Sequence, residues 1–145
     1  MKIIFDELAT EKINSFGAVD LALDFNHTLS ETNTEVDACA GGISRWRLVA
    51  VDNGTTPGTF DGKMESEFGS IYFQDWGKIF WDEHDLKVRH EGSLNLMTLK
   101  TDWDTISNNF MIVDFRGKSI VDNCGRSPRY IKHYGLCYAR LLYEP

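Results

Sequence analysis

Cysteine is scarce: the 145 residues hold three, Cys39, Cys124 and Cys137. The count is odd, with no CxxC and no CxxxH pairing, a pattern that is neither a disulfide framework nor a zinc knuckle. They read as reduced thiols in a cytoplasmic protein. Long apolar runs are also missing. The opening MKIIFDELATEK meets acidic residues too soon to be a signal peptide, and no run approaches the length of a membrane span. Positive charge is short: 15 Lys and Arg stand against 22 Asp and Glu, a formal charge of −7. Such a balance disfavours nucleic-acid phosphates and anionic membranes, so neither is expected as a partner. No GxSxG, HExxH, P-loop or GxGxxG is present, so no motif points to a metal or a cofactor, and none is expected.

What is abundant is aromatic residues between glycines. From Pro57 to Leu99 the chain carries Phe60, Phe68, Tyr72, Phe73, Trp76, Phe80 and Trp81, spaced by Gly58, Gly62, Gly69, Gly77 and Gly92. Short aromatic runs between turn residues predict tightly connected β-strands. Elsewhere the period is two: Val19, Leu21, Leu23 and Phe25 face one way along 18–25, and Trp46, Leu48 and Ala50 along 44–52. Strands are also predicted at 2–5, 59–64, 70–74, 78–81, 86–90, 94–101, 109–116, 118–121 and 133–143. A turn is expected over 102–109, and a long loop, polar and then small, over 26–43. The one helical pattern follows Asp6, with Ala9, Ile13 and Phe16 on one face and Gly17 as its stop. The expectation is a mainly β fold: a single domain over residues 1–145, an antiparallel β-barrel or sandwich with one short N-terminal helix.

Candidate chemistry rests on residues that alternation places on apolar strand faces. His90 shares a face with Leu86 and Val88, where an imidazole's pKa is tunable enough for a general base; the plainer reading is a strand-end histidine beside Glu91. Asp114 follows Phe110 and Ile112 on one side of a strand, with Arg116 next. Facing a barrel lumen, the two would make a polar patch that orients a carbonyl or carboxylate, with Asp114 beside His90 as a catalytic candidate. Facing water, they are a simple ion pair. Trp46, Tyr72, Trp76, Trp81 and Tyr138, with Arg116, are the ligand-binding candidates, although aromatic strand residues are more often core. The run WDEHD at 81–85 has metal-ligand residue types, but neighbouring strand residues point opposite ways, so it reads as a turn.

The segments PGTFDGKM (57–64), LMTLKTDWDTISNNFMIVDFRG (96–117) and SPRYIKHYGLCYARLLYE (127–144) resemble small calycin-like barrels, the allene-oxide-cyclase-like proteins among them. The resemblance spans roughly residues 44–143 and rests on a G-T-F-x-G strand start, an L-x-T-x-D strand and turn, and a closing strand. The chain departs from that pattern in lacking a glycine-rich closing signature, and Gly17 is followed by Ala18 and Val19 where lipocalins have G-x-W. The resemblance implies a barrel whose lumen confines a hydrophobic small molecule; it transfers no catalytic residue.

Two functional readings follow. In the first, the chain is a small-molecule-binding β-barrel, with an isomerase or cyclase acting on a hydrophobic metabolite in the lumen as its enzymatic form. In the second, it is an acidic, non-enzymatic inhibitor or immunity-type protein that binds a basic protein partner. A homodimer is compatible with either.

Overall fold

Alternation in DLALDF and WRLVAV produces the two strands at the centre of the fold. The structure, a computed structural model, describes residues 1–25, 29–30, 46–82, 84–118 and 121–122. In chain order these form β1 (Ile3–Phe5), α1 (Glu7–Asn14), β2 (Asp20–Phe25), β3 (Leu29–Ser30), β4 (Trp46–Val51), β5 (Gly62–Ser66), β6 (Gly69–Phe73), a 3-10 helix (Asp75–Phe80), β7 (Leu86–Glu91), β8 (Leu96–Lys100), β9 (Thr105–Ser107), β10 (Met111–Asp114) and β11 (Val121–Asp122). A five-stranded sheet runs β10-β4-β2-β6-β5, a four-stranded sheet runs β1-β7-β8-β9, and β11 pairs with β3.

The expected antiparallel barrel is therefore corrected. The fold is mixed α/β, with two principal sheets and no closed barrel among the described residues. Three pairings are parallel: β1 with β7, β2 with β6, and β10 with β4. Parallel neighbours need long crossovers, so a chain read as successive hairpins misses them. The two sheets touch where Lys2 bridges to Glu65, and where the Phe110 N–H donates to the Met97 carbonyl at 3.2 Å. No helix of the described residues is long and apolar enough to cross a membrane.

The main core lies between the sheets and under α1. It takes Ile3 and Phe5 from β1, Leu21 and Leu23 from β2, Leu86 and Val88 from β7, and Ala9 and Ile13 from α1. A smaller cluster of Ala22, Val49, Val51, Phe60 and Phe115 covers the other face of the five-stranded sheet. Every residue of β4 is buried, as are five of the six in β2, so the half-buried strand expected at 18–25 is buried on both faces. Asp6 caps α1 by accepting from the Ala9 N–H, and Gly17 takes the φ of +74° that ends the helical run. The strand expected at 78–81 is instead the end of the 3-10 helix. There Trp81 turns inward against Trp46 and Phe73, with ring centroids 5.7 and 5.4 Å away, so aromatic packing overrides β propensity. The expected turn at 102–109 contains β9.

Gly62 sits opposite Phe73 in the β5–β6 ladder, and a Cβ there would come within 2.7 Å of the Phe73 ring, itself in the core. Gly62→Ala is expected to destabilise the protein by about 1–3 kcal/mol through overpacking. Gly58→Ala has open space around its Cβ and serves as the near-neutral comparison. Urea unfolding midpoints of the two variants check this.

Candidate functional site

The sequence brings a carboxylate from the start of the chain onto the imidazole of β7. Asp6 is the N-cap of α1, a position that leaves one carboxylate oxygen free to reach beyond the helix. Its Oδ1 accepts from the Ala9 N–H at 3.0 Å, while Oδ2 accepts from the His90 N–H at 2.6 Å. The His90 Nδ1 lies 2.9 Å from Oδ2 and 3.2 Å from Oδ1. Against an ionised carboxylate Nδ1 carries the proton, which leaves Nε2 as the second ring nitrogen. Burial raises the Asp6 pKa, but the hydrogen bonds from Ala9 and His90 outweigh it and hold the carboxyl below its usual value. The immediate effect of this geometry is mechanical: one carboxylate ties helix to sheet.

Asp114 and Arg116 do pair, but in solvent. Arg116 Nε donates to Asp114 Oδ1 at 2.9 Å and Nη2 to Oδ2 at 2.8 Å, a two-pronged bond that fits the planar guanidinium. Nη1 reaches the Phe16 carbonyl at 2.6 Å, and the guanidinium lies 5.1 Å over the Phe16 ring. The side-chain bond from Arg116, followed by its backbone N–H, lowers the Asp114 pKa to about 2. His90 works at the front of α1 and Asp114 with Arg116 at its rear, and the eight residues of α1 span roughly 12 Å. The proposed catalytic pair is not one site, and there is no barrel lumen for it to face.

Three of the five aromatic candidates do converge. Trp46 and Trp81 are buried, with Trp76 half-buried beside them; Phe25 links Trp46 and Trp76 at ring distances of 4.8 and 6.1 Å. Trp46 and Trp76, with Leu23, Phe25, Gln74 and Gly77, line a cleft that has no room for a water molecule. Tyr72 instead packs against the smaller cluster on the other face, under Lys63 at 5.5 Å. Tyr138 lies outside the described residues.

Sequence reasoning missed three polar participants. Asp24 and Arg47 oppose each other across β2 and β4, both buried, with Arg47 Nε and Nη2 each 3.0 Å from Asp24 Oδ2. Their opposite charges on the second face of each strand were the available signal. Gln74, buried at the entry to the 3-10 helix, gave none. Asp6 was legible as a cap, while its bond to a histidine 84 residues away was not.

Two measurements check this reading. Asp6→Ala is expected to cost about 1–2 kcal/mol through the lost cap, seen as a lower urea midpoint, with Asp6→Asn intermediate. For Asp114, folding lowers the pKa from a usual value of about 3.9 to about 2. Its contribution is then fully present above that usual value and is lost as the pH falls through the folded pKa. The Tm gap between the protein and Asp114→Asn should narrow from about pH 4 down to about pH 2, and added salt should shrink it at every pH.

Comparison with known proteins places this fold. A candidate Fe-S biosynthesis protein from Lactobacillus salivarius, described as a novel protein fold, superposes with a TM-score of 0.61 at 19% identity, over 80% of this chain and 99% of its own. Another from Lactobacillus acidophilus superposes at 0.54 with 13% identity, over 79% of this chain and 90% of its own. No curated protein matches. At these identities the structures speak for the fold alone. They nonetheless replace the calycin and allene-oxide-cyclase resemblance, which rested on turn glycines and alternation that many β proteins share. The family model for iron–sulphur cluster biosynthesis matches residues 1–114, overturning both the isomerase or cyclase reading and the inhibitor or immunity reading. The match runs from β1 through the end of β10 and takes in every strand of both principal sheets: the chain belongs to the iron–sulphur cluster biosynthesis family.

Proposed function

We propose that the chain serves iron–sulphur cluster biosynthesis by binding another protein of that process, and not as the place where a cluster sits. The observation that carries this is the donor set. Iron–sulphur clusters are held by cysteine thiolates, four for each common cluster type. The chain has three cysteines in all, and Cys39 alone falls among the residues matched to the family. Cys39, Cys124 and Cys137 all lie outside the described residues. Among the described residues, no group of three or more His, Cys, Asp or Glu is arranged to hold a metal ion. The described residues thus supply no thiolate to hold a cluster.

The formal charge of −7 favours a partner with a basic surface and an association that weakens with salt. The cysteine usage favours a cytoplasmic setting. The test is the triple variant Cys39→Ser, Cys124→Ser, Cys137→Ser. After anaerobic incubation with ferrous iron and sulphide and then desalting, the natural chain is expected to retain neither iron nor acid-labile sulphide in cluster proportion. In a strain lacking the gene, the triple variant is expected to restore iron–sulphur enzyme activity as well as the natural chain does. A visible cluster spectrum that the triple variant loses, together with loss of that activity, overturns the proposal.

A further inference from the structure

We infer that the cleft between the end of the β2–β4 pair and the 3-10 helix takes a main-chain carbonyl from an apolar segment of the partner protein, held by Trp46 Nε1–H and Gln74 Nε2–H. The inference rests on the reading that the chain acts by binding a protein. Trp46 is 2% exposed and Gln74 6%. The indole nitrogen of Trp46 and the amide nitrogen of Gln74 are both fully buried and have no hydrogen-bond partner among the described residues. Buried donors in folded proteins are paired in the great majority of cases, and an orphan calls for an explanation. Here both residues that carry such a donor line one cleft.

In the closed cleft the orientation of Gln74 is set by its neighbour. Trp76 Nε1 can only donate, and it donates to Gln74 Oε1 at 2.9 Å. The Gln74 amide nitrogen is thereby set on the other side, and flipping the amide would set two donors against each other. Gly77 keeps this wall closely packed: a Cβ there would meet the Trp46 ring at 3.4 Å.

The chemistry of the lining selects the ligand. Both donors are neutral, and the walls are Leu23, Phe25 and two tryptophans. A carboxylate entering such a wall would lose its hydration against no countercharge, whereas a neutral carbonyl needs only the two N–H groups. The 3-10 helix beside the cleft adds further apolar surface, with Trp76 and Phe80 half-buried and Ile79 68% exposed, next to the exposed ion pair of Asp75 and Lys78. Buried donors among apolar side chains, with charged groups further out, fit the anatomy of a protein interface, whose core is apolar and whose rim is polar. Since the cleft has no room for a water molecule, entry requires half-buried Trp76 to move outward, giving up its bond to Gln74.

The test uses 15N-labelled full chain titrated with N-acetyl-leucine N′-methylamide, a neutral apolar probe with two peptide carbonyls. The expected result is a saturable downfield shift of the Trp46 indole N–H, identified by its loss in Trp46→Phe, with the Gln74 side-chain NH2 moving alongside. The indole of Trp103, 77% exposed, stays in place, and sodium acetate produces no saturable shift. Gln74→Glu keeps an acceptor for Trp76 and removes the donor, and is expected to weaken probe binding about fivefold, the loss of one neutral hydrogen bond. No saturable Trp46 shift, an equal shift at Trp103, an equal response to acetate, or unchanged binding in a folded Gln74→Glu overturns the inference. The titration of the natural chain decides alone should that variant fail to fold. A negative result leaves the thiol-independent role standing, because that role is read from cluster content and complementation.

Discussion

The register of β2 against β4 is the constraint on which the rest depends. These two strands are buried on both faces, with β10 added to β4, β6 added to β2, and β5 beyond β6. Their registration is secured at one end by Asp24 opposite Arg47. A buried charge is tolerable only with its countercharge in place. A slip of one residue would turn Asp24 onto the core face and part it from Arg47, besides reversing every apolar side chain. The same arginine lies 5.2 Å from the Phe115 ring, so the residue that follows β10 is seated on the pair as well.

Local structure was legible because it is written locally. The alternation of β2, β4 and β7, the Asp6 cap and the glycine stop at Gly17 all appear where the residue pattern puts them. Strand partners were not legible. Ile3 pairs with Leu86, Leu21 with Ile71 and Met111 with Arg47, and alternation is silent about which distant strand lies alongside. Reading each strand as half of a hairpin turned strands such as β2, β4 and β7 into an incorrect barrel. The site suffered in the same way. His90 lies half-buried on β7, and its partner sits 84 residues away. The alternation of Phe110, Ile112 and Asp114 was correct too, yet the core ends before Asp114.

Polar groups in this fold act mainly as joints between elements. The Asp6 carboxylate fastens the front of α1 to β7, and the Arg116 guanidinium fastens the chain beyond its rear to the end of β10. Asp20 does the same for the turn after β4, accepting from the Gly54 N–H at 3.0 Å. Among the described residues these groups are occupied in holding elements together. Trp46 and Gln74 differ in kind: each keeps a buried donor that no joint uses.

The parallel pairing of β1 with β7 carries a consequence for synthesis. Lys2 hydrogen-bonds to a residue 83 positions further on, and the three residues of β1 align beside Leu86, Lys87 and Val88. At elongation rates of about 5–20 residues per second, β1 leaves the ribosome roughly 4–16 s before its partner strand exists. During that interval Ile3 and Phe5 have no strand to lie against, and α1 has no floor. β1 therefore docks only once β7 has been made, and Ile3 and Phe5 stay exposed to whatever binds apolar side chains until then.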